Sequence, residues 1–321
     1  MSVDMIINNQ PPAYRIHRVT LPLSCLNIME AGAGEPLIVV PATISELGNW
    51  VELIQFMAQW FHVYFFELPG HGLSTPFEQK FSTRLVAQTV EQLADHLQIQ
   101  NFNLMGFSFG GILAMRTFNL LQHRIDRLIL NAPCLTNRAV ILSRTQKLAM
   151  RSFGTLLGRR AVQEGLHRAM RHPRRRTAFM DIFQRVGKVE NRQQIEQKLA
   201  KIEISTLDVL GQQIMETMKF ESPHPAVKYN TPCYFTMSVN DPLLDYEITL
   251  NELQSNFSNV HVTKLFYPFH QPPKPFTFDE LNHDFGESVR RLVLHDTLFS
   301  EPRPHKDTGK TKFTGVYDSA D

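Results

Sequence analysis

Cysteine is scarce in this 321-residue chain: Cys25, Cys134 and Cys233 are the full set, and no two are spaced as CxxC. An odd, scattered set excludes a disulfide framework and a cysteine-based zinc site, and it points to reduced thiols in a cytoplasmic protein. The opening MSVDMIINNQPP lacks a basic segment running into an apolar one, so no secretory signal is expected there. No apolar run approaches the roughly 18 residues of a membrane span. Net charge is also small, +2 overall. No aromatic interleaving or known nucleic-acid module accompanies the basic residues, so no nucleic-acid partner is expected. Internal repeats are absent.

What is present is ordinary globular material. Hydrophobic residues make up 43% of the chain and charged residues 20%, ample for a sizeable core. The length suits one large domain with an insertion, because domains commonly run to about 250 residues. YRIHRVTLPLSCLNIME (14–30) reads as an antiparallel hairpin broken near Pro22. LIVV (37–40) and VYFFEL (63–68) are short apolar runs of the kind that strands covered on both faces require. Between them, 47–60 carries apolar residues at helical spacing. Ser82 or Thr83 can cap a helix through Leu97. FNLMGF (102–107) is a strand, Gly110 to Leu121 a helix, and RLILNAP (127–133) the next strand. This β-α-β-α order implies a mostly parallel sheet with right-handed crossovers.

The pattern then changes. Residues 137–222 show helix-forming stretches rich in Arg, Gln, Met and Leu, without a buried strand. PCYFTMSV (232–239) and HVTKLFYP (261–268) resume the strand pattern, a helix covers about 278–295, and the polar 301–321 reads as a flexible tail. The expected division is therefore a sheet domain over 1–136 and 230–300, a helical insertion over 137–229, and the tail.

The sharpest local signal is Gly106-Phe107-Ser108-Phe109-Gly110-Gly111, directly between a strand and a helix. A serine flanked by glycines two residues away can occupy a strained strand-to-helix turn that thrusts its hydroxyl out of the sheet. The helix N-terminus also offers N–H groups and positive dipole to a developing oxyanion.

With that segment the chain resembles the α/β-hydrolase family. Glu67-Leu68-Pro69-Gly70-His71-Gly72-Leu73-Ser74 is similar to the family's D-x-P-G-H-G-x-S turn, with Glu in place of Asp, and His71 reads as a turn residue rather than a base. The resemblance covers about 30–135 and 230–295. It implies a nucleophile, acid and base in the chain order Ser, Asp or Glu, His, the acid and base on loops after late strands. Asp241 stands where the acid is expected, with Asp245 four residues on as the alternative. His270 follows the last strand and is the expected base; His283, inside a helix, competes. The oxyanion donors implied are the backbone N–H groups of Phe109 and Thr43, although Pro41-Ala42-Thr43 replaces the family's His-Gly.

In this family, helices inserted after the sixth strand form a cap over the serine, and the 137–229 stretch fits that place. Between Arg144 and Arg192 stand 13 Lys or Arg against three acids, a local +10 that leaves −8 on the remainder. Docking of an acidic carrier protein or anionic lipid headgroups is one reading, and a solvated helix face the other. Phe107 and Ala42 are the expected substrate-contacting residues, and apolar walls favour an acyl group over a sugar or peptide. The resulting expectation is hydrolysis of an ester or thioester through an acyl-enzyme on Ser108, without metal or organic cofactor. Acyl transfer by the same residues and a non-catalytic binding protein on the same fold are the alternatives.

Overall fold

The computed structural model describes residues 10–186, 192–294 and 316–318. The first hairpin forms as the alternation dictates: β1 (Tyr14–Thr20) pairs antiparallel with β2 (Cys25–Ala31) around Pro22. Six strands then lie parallel: β3 (Glu35–Val40), β4 (Phe61–Phe66), β5 (Phe102–Phe107), β6 (Ile125–Asn131), β7 (Cys233–Ser238) and β8 (Val260–Leu265). The order across the sheet is β1-β2-β4-β3-β5-β6-β7-β8, and β2 meets β4 antiparallel. A three-residue β9 (Val316–Asp318) adds antiparallel to β8. Apart from those three residues, the tail expected over 301–321 lies outside the described residues.

Both faces of the sheet are covered, which is why the central strands read as continuous apolar runs rather than alternating ones. On one face, α2 (Thr83–His96), α3 (Gly110–Leu121) and α9 (Tyr246–Asn256) bury Val86, Val90, Leu113, Phe118 and Leu253 against Ile38, Leu104 and Phe235. On the other, α1 (Val51–Met57) and α10 (Phe278–Leu294) bury Ile54, Leu281 and Leu292 against Leu37, Phe65 and Met105. Ser82 caps α2 by accepting the N–H of Leu85 at 3.3 Å, satisfying one of the unpaired donors of the first turn.

Between β6 and β7 the chain forms α4 (Arg144–Leu157), α5 (Arg160–Arg171), α6 (Pro173–Val186), α7 (Arg192–Ala200) and α8 (Ile204–Thr217), and among the described residues of this stretch there is no strand. Helix α8 rests on the loop after β4 and on the start of α2: Thr206 donates to the Gly70 carbonyl at 3.1 Å, and Glu216 accepts from Thr83 at 2.8 Å. Among the described residues no helix is long and apolar enough to cross a membrane.

The strand order positions the site. The chain leaves β3 toward β4 on one side and later enters β5 on the other, so the loops beyond β3 and β5 diverge at neighbouring strand ends. Open parallel sheets leave a crevice at such a switch point. Ser108 stands at that point.

Candidate functional site

Ser108 follows β5 immediately and takes φ 55°, a left-handed conformation that a non-glycine residue adopts only when its surroundings impose it. The turn is tied on several sides. The Ser108 N–H donates to Asn131 O at 3.1 Å, while the Ser108 carbonyl accepts from Gly111 and Cys134, each at 2.9 Å. Gly106 and Gly110 permit the close approach. A Cβ at 106 would lie 2.3 Å from the Gly110 carbonyl, and one at 110 would lie 2.9 Å from Val40 O. The second contact sets the first turn of α3 against the end of β3, where the Pro41-Ala42-Thr43 loop begins.

The loops after β7 and β8 are tied together. Ser238 donates to Tyr267 O at 2.6 Å, and the Asn240 side-chain amide donates to Phe266 O at 3.2 Å. Asp241 is thereby held beneath His270. One carboxylate oxygen accepts the N–H groups of Leu243 (2.8 Å) and Leu244 (3.0 Å); the other is 2.6 Å from His270 Nδ1. His270 Nε2 lies 2.8 Å from Ser108 Oγ. The acid is 1% and the imidazole 9% exposed, so solvent barely competes for either contact. With its Nδ1–H committed to Asp241, His270 presents an unprotonated Nε2 to the hydroxyl.

The two alternatives stand apart from this chain of contacts. Asp245 is the N-cap of α9, accepting Ile248 N–H at 2.9 Å. His283 is 56% exposed on α10 and pairs with its neighbour Asp284. Phe109 precedes α3 as its N-cap and is buried, while Thr43 is half-buried in the loop beyond β3. Among the described residues neither backbone N–H has a hydrogen-bond partner. Phe107 is half-buried, with its ring 5.8 Å from that of His270 and 6.3 Å from that of Trp50. Ala42 packs into the core on the α1 and α10 face.

Trp50 and Ser45, which no sequence signal marks, join Glu67 and His71 in fixing the loop carrying Thr43. Trp50 Nε1 donates to Ile44 O at 3.1 Å. The Ser45 hydroxyl accepts Leu68 N–H at 2.9 Å and therefore donates to His71 Nδ1, also 2.9 Å away. Glu67 accepts from Leu47 N–H (3.2 Å), Leu73 N–H (2.7 Å) and the Asn27 amide (3.0 Å). Its extra methylene relative to Asp is what a sequence reader could have weighed. His71 is wholly enclosed, and burial pushes its pKa down to about 4. Its Nε2 is buried with no hydrogen-bond partner among the described residues.

Two surface clefts lie away from Ser108. One, of about 440 Å³, is lined by Arg138 to Ser143, Gln146, Lys147, Asp245 and Ile248; another, of about 370 Å³, lies beside Leu21 to Cys25 and Thr75 to Gln79. Among the described residues no group of three or more His, Cys, Asp or Glu is arranged to hold a metal ion.

Comparison with known proteins accords with this architecture. The family model for the alpha/beta hydrolase fold matches residues 35–179. The chain is 33% identical over 99 residues to a dihydrolipoyllysine-residue acetyltransferase component of the acetoin cleaving system of Pseudomonas putida. It is 28% identical over 119 residues to a pimeloyl-[acyl-carrier protein] methyl ester esterase of Nitrosomonas europaea. The matched stretches cover 31% and 36% of this chain but only 27% and 45% of those relatives. In fold it is similar to a thermophilic esterase from Thermogutta terrifontis, with TM-score 0.62, 16% identity, and coverage of 88% of this chain and 98% of that one. The matched residues and the arrangement of the sheet show that the chain has the α/β-hydrolase fold.

Proposed function

We propose that this chain is a serine hydrolase that cleaves a carboxylic ester or thioester with an apolar acyl group, through an acyl-enzyme on Ser108. The observation that carries the reading is the unbroken run of hydrogen bonds from Ser108 Oγ through His270 to Asp241, at 2.8 and 2.6 Å. A hydroxyl is a weak nucleophile until a base at hydrogen-bond distance can take its proton, and the base in turn needs an acceptor for its other N–H.

In this scheme Ser108 Oγ bonds to the substrate carbonyl carbon as its proton passes to His270 Nε2. The carbonyl electron pair moves onto oxygen, where the N–H groups of Phe109 and Thr43 receive it. Asp241 stabilises the imidazolium. The tetrahedral species collapses, breaking the bond to the alcohol or thiol, which leaves with the proton from His270. Water, deprotonated by His270, then attacks the acyl-enzyme; the acid departs and Ser108 recovers its proton. No step uses a metal or cofactor. Donors already placed where charge develops are the larger electrostatic contribution to such reactions.

Phe107, whose ring lies between those of His270 and Trp50, supports an apolar acyl group, and the similarity to an ester-cleaving relative supports ester chemistry. Helices α4 to α8 take the part of a cap over 137–229, above a catalytic domain of 1–136 and 230–300. The unpaired Cys25, Cys134 and Cys233 are in keeping with a cytoplasmic setting. Fluorophosphonate labelling of the wild type against Ser108→Ala tests the reading, followed by a panel of acyl esters and acyl thioesters of graded length. Folded wild type that takes up no Ser108-dependent label would favour the non-catalytic binding protein. A transferred acyl group, rather than free acid, in the presence of an alcohol or second thiol would favour the acyltransferase.

A further inference from the structure

The excess of basic charge over 144–192 has no part in the proposed chemistry, and α4 shows what accompanies it. The helix is divided lengthwise. Met150, Gly154 and Leu157 recur at helical spacing; Gly154 and Leu157 are buried, and Gly154 lies against Gly211, Ile214 and Met215 of α8. On the other side Leu148, Ser152 and Leu156 follow at steps of four, and all three are open to solvent. Leu148 is 65% exposed and Leu156 43%, and Ile141, just ahead of the helix, is 50% exposed. Adjoining them, Arg144, Leu148, Arg151 and Thr155 form a stripe at steps of three and four, every member exposed, with Arg151 also donating to Met218 O at 3.2 Å.

Two properties of this face coincide. Exposed apolar side chains share a single helix: Leu148 and Leu156 lie on one line two turns apart, and Phe153, 39% exposed, is one turn from Leu156, instead of being scattered singly as on most soluble surfaces. The charges beside them are of one sign, since α4 contains Arg144, Lys147 and Arg151 but no Asp or Glu. An ordinary solvated helix face intersperses both signs. A helix that lies in the headgroup region of an anionic bilayer needs this combination: apolar side chains to enter the acyl boundary, and guanidinium groups to meet the phosphates. An acidic protein would recognise the arginines but does not call for bare leucines between them.

We propose that the outward face of α4 seats the protein on an anionic phospholipid surface, with Ile141, Leu148 and Leu156 entering the headgroup boundary and Arg144 and Arg151 on lipid phosphates. Such a seat delivers an apolar substrate from the phase in which it concentrates. The proposal does not depend on hydrolysis, so it is tested on the full chain carrying Ser108→Ala. Co-sedimentation is measured with vesicles of mixed phosphatidylcholine and phosphatidylglycerol, and with phosphatidylcholine alone. Binding is expected to the mixed vesicles only, weakening as salt rises. Each basic residue near such a surface contributes about 1 kcal/mol, or about five-fold in partitioning; R144Q/R151Q should therefore lower it by about 25-fold. L148E/L156E, exposed enough to leave the circular dichroism spectrum unchanged, should abolish it. Failure to bind the mixed vesicles overturns the proposal. So does binding that falls with R144Q/R151Q but survives L148E/L156E, the behaviour of a purely electrostatic surface suited to an acidic protein.

Discussion

His71 makes the stability of this protein depend on pH in a way that can be calculated. Enclosed beside Ser45, the imidazole accepts the serine hydroxyl at Nδ1, and its pKa is driven by desolvation from 6.5 to about 4. In the unfolded chain the same histidine takes a proton near 6.5. Between those values the unfolded state binds more protons than the native state, so stability rises with pH across the window. The contribution is complete above about pH 7 and is lost progressively on acidification toward pH 4. At about 1.4 kcal/mol per pH unit, the full gap amounts to roughly 3 kcal/mol, and about 2 kcal/mol of it is gone by pH 5. Protonation would also reverse the Ser45–His71 bond, leaving Ser45 Oγ accepting from both Nδ1–H and Leu68 N–H and its own hydrogen without its present acceptor. Urea unfolding of wild type and His71→Gln at pH 7.5 and pH 5 isolates the effect, because carboxylates titrating elsewhere contribute to both proteins. The variant should lose about 2 kcal/mol less than the wild type over that interval. Equal losses in the two proteins would refute the assignment of a buried neutral imidazole.

Other changes probe the elements around Ser108. Gly106→Ala forces a Cβ to within 2.3 Å of the Gly110 carbonyl, backbone that cannot step aside, so thermal unfolding should report a loss of about 3 kcal/mol or more. Glu67→Asp draws the carboxylate back from the N–H groups of Leu47 and Leu73; leaving a buried donor unpaired should cost about 1–3 kcal/mol in denaturant midpoint. On the proposed mechanism that variant also loses kcat, because the Thr43 loop is released. Asp241→Asn keeps the shape but offers His270 the wrong partner, and kcat on a reactive ester should fall by about 10³–10⁴-fold with KM little altered. An unchanged kcat would remove Asp241 from the mechanism.

Local pattern went far in this chain because its central strands are covered on both sides. FNLMGF and the helix from Gly110 to Leu121 were legible residue for residue, since an apolar run, two glycines and a helical repeat meet within twenty positions. The first helix is shorter than the apolar spacing over 47–60 implies: it forms as α1 (Val51–Met57) after a single 3-10 turn, with Trp50 turned to bond Ile44 O. Spacing along the chain carries no record of such a bond. The Glu67 substitution was visible but its consequence was not, because the donors it reaches come from three separate segments.

By itself the sequence determined that a serine would stand at a strand-to-helix corner, and that candidate acids and imidazoles would follow in the loops beyond β7 and later; those signals lie within a few neighbouring residues. Only the tertiary structure decided which imidazole reaches the hydroxyl. His270 and Ser108 are 162 positions apart, and their contact depends on the sheet order and on the bonds tying the loop after β7 to the loop after β8. The outward face of α4 was decided in the same way. Its periodicity is amphipathic on any reading, but which stripe faces water is settled by the packing of Gly154 and Leu157 against α8.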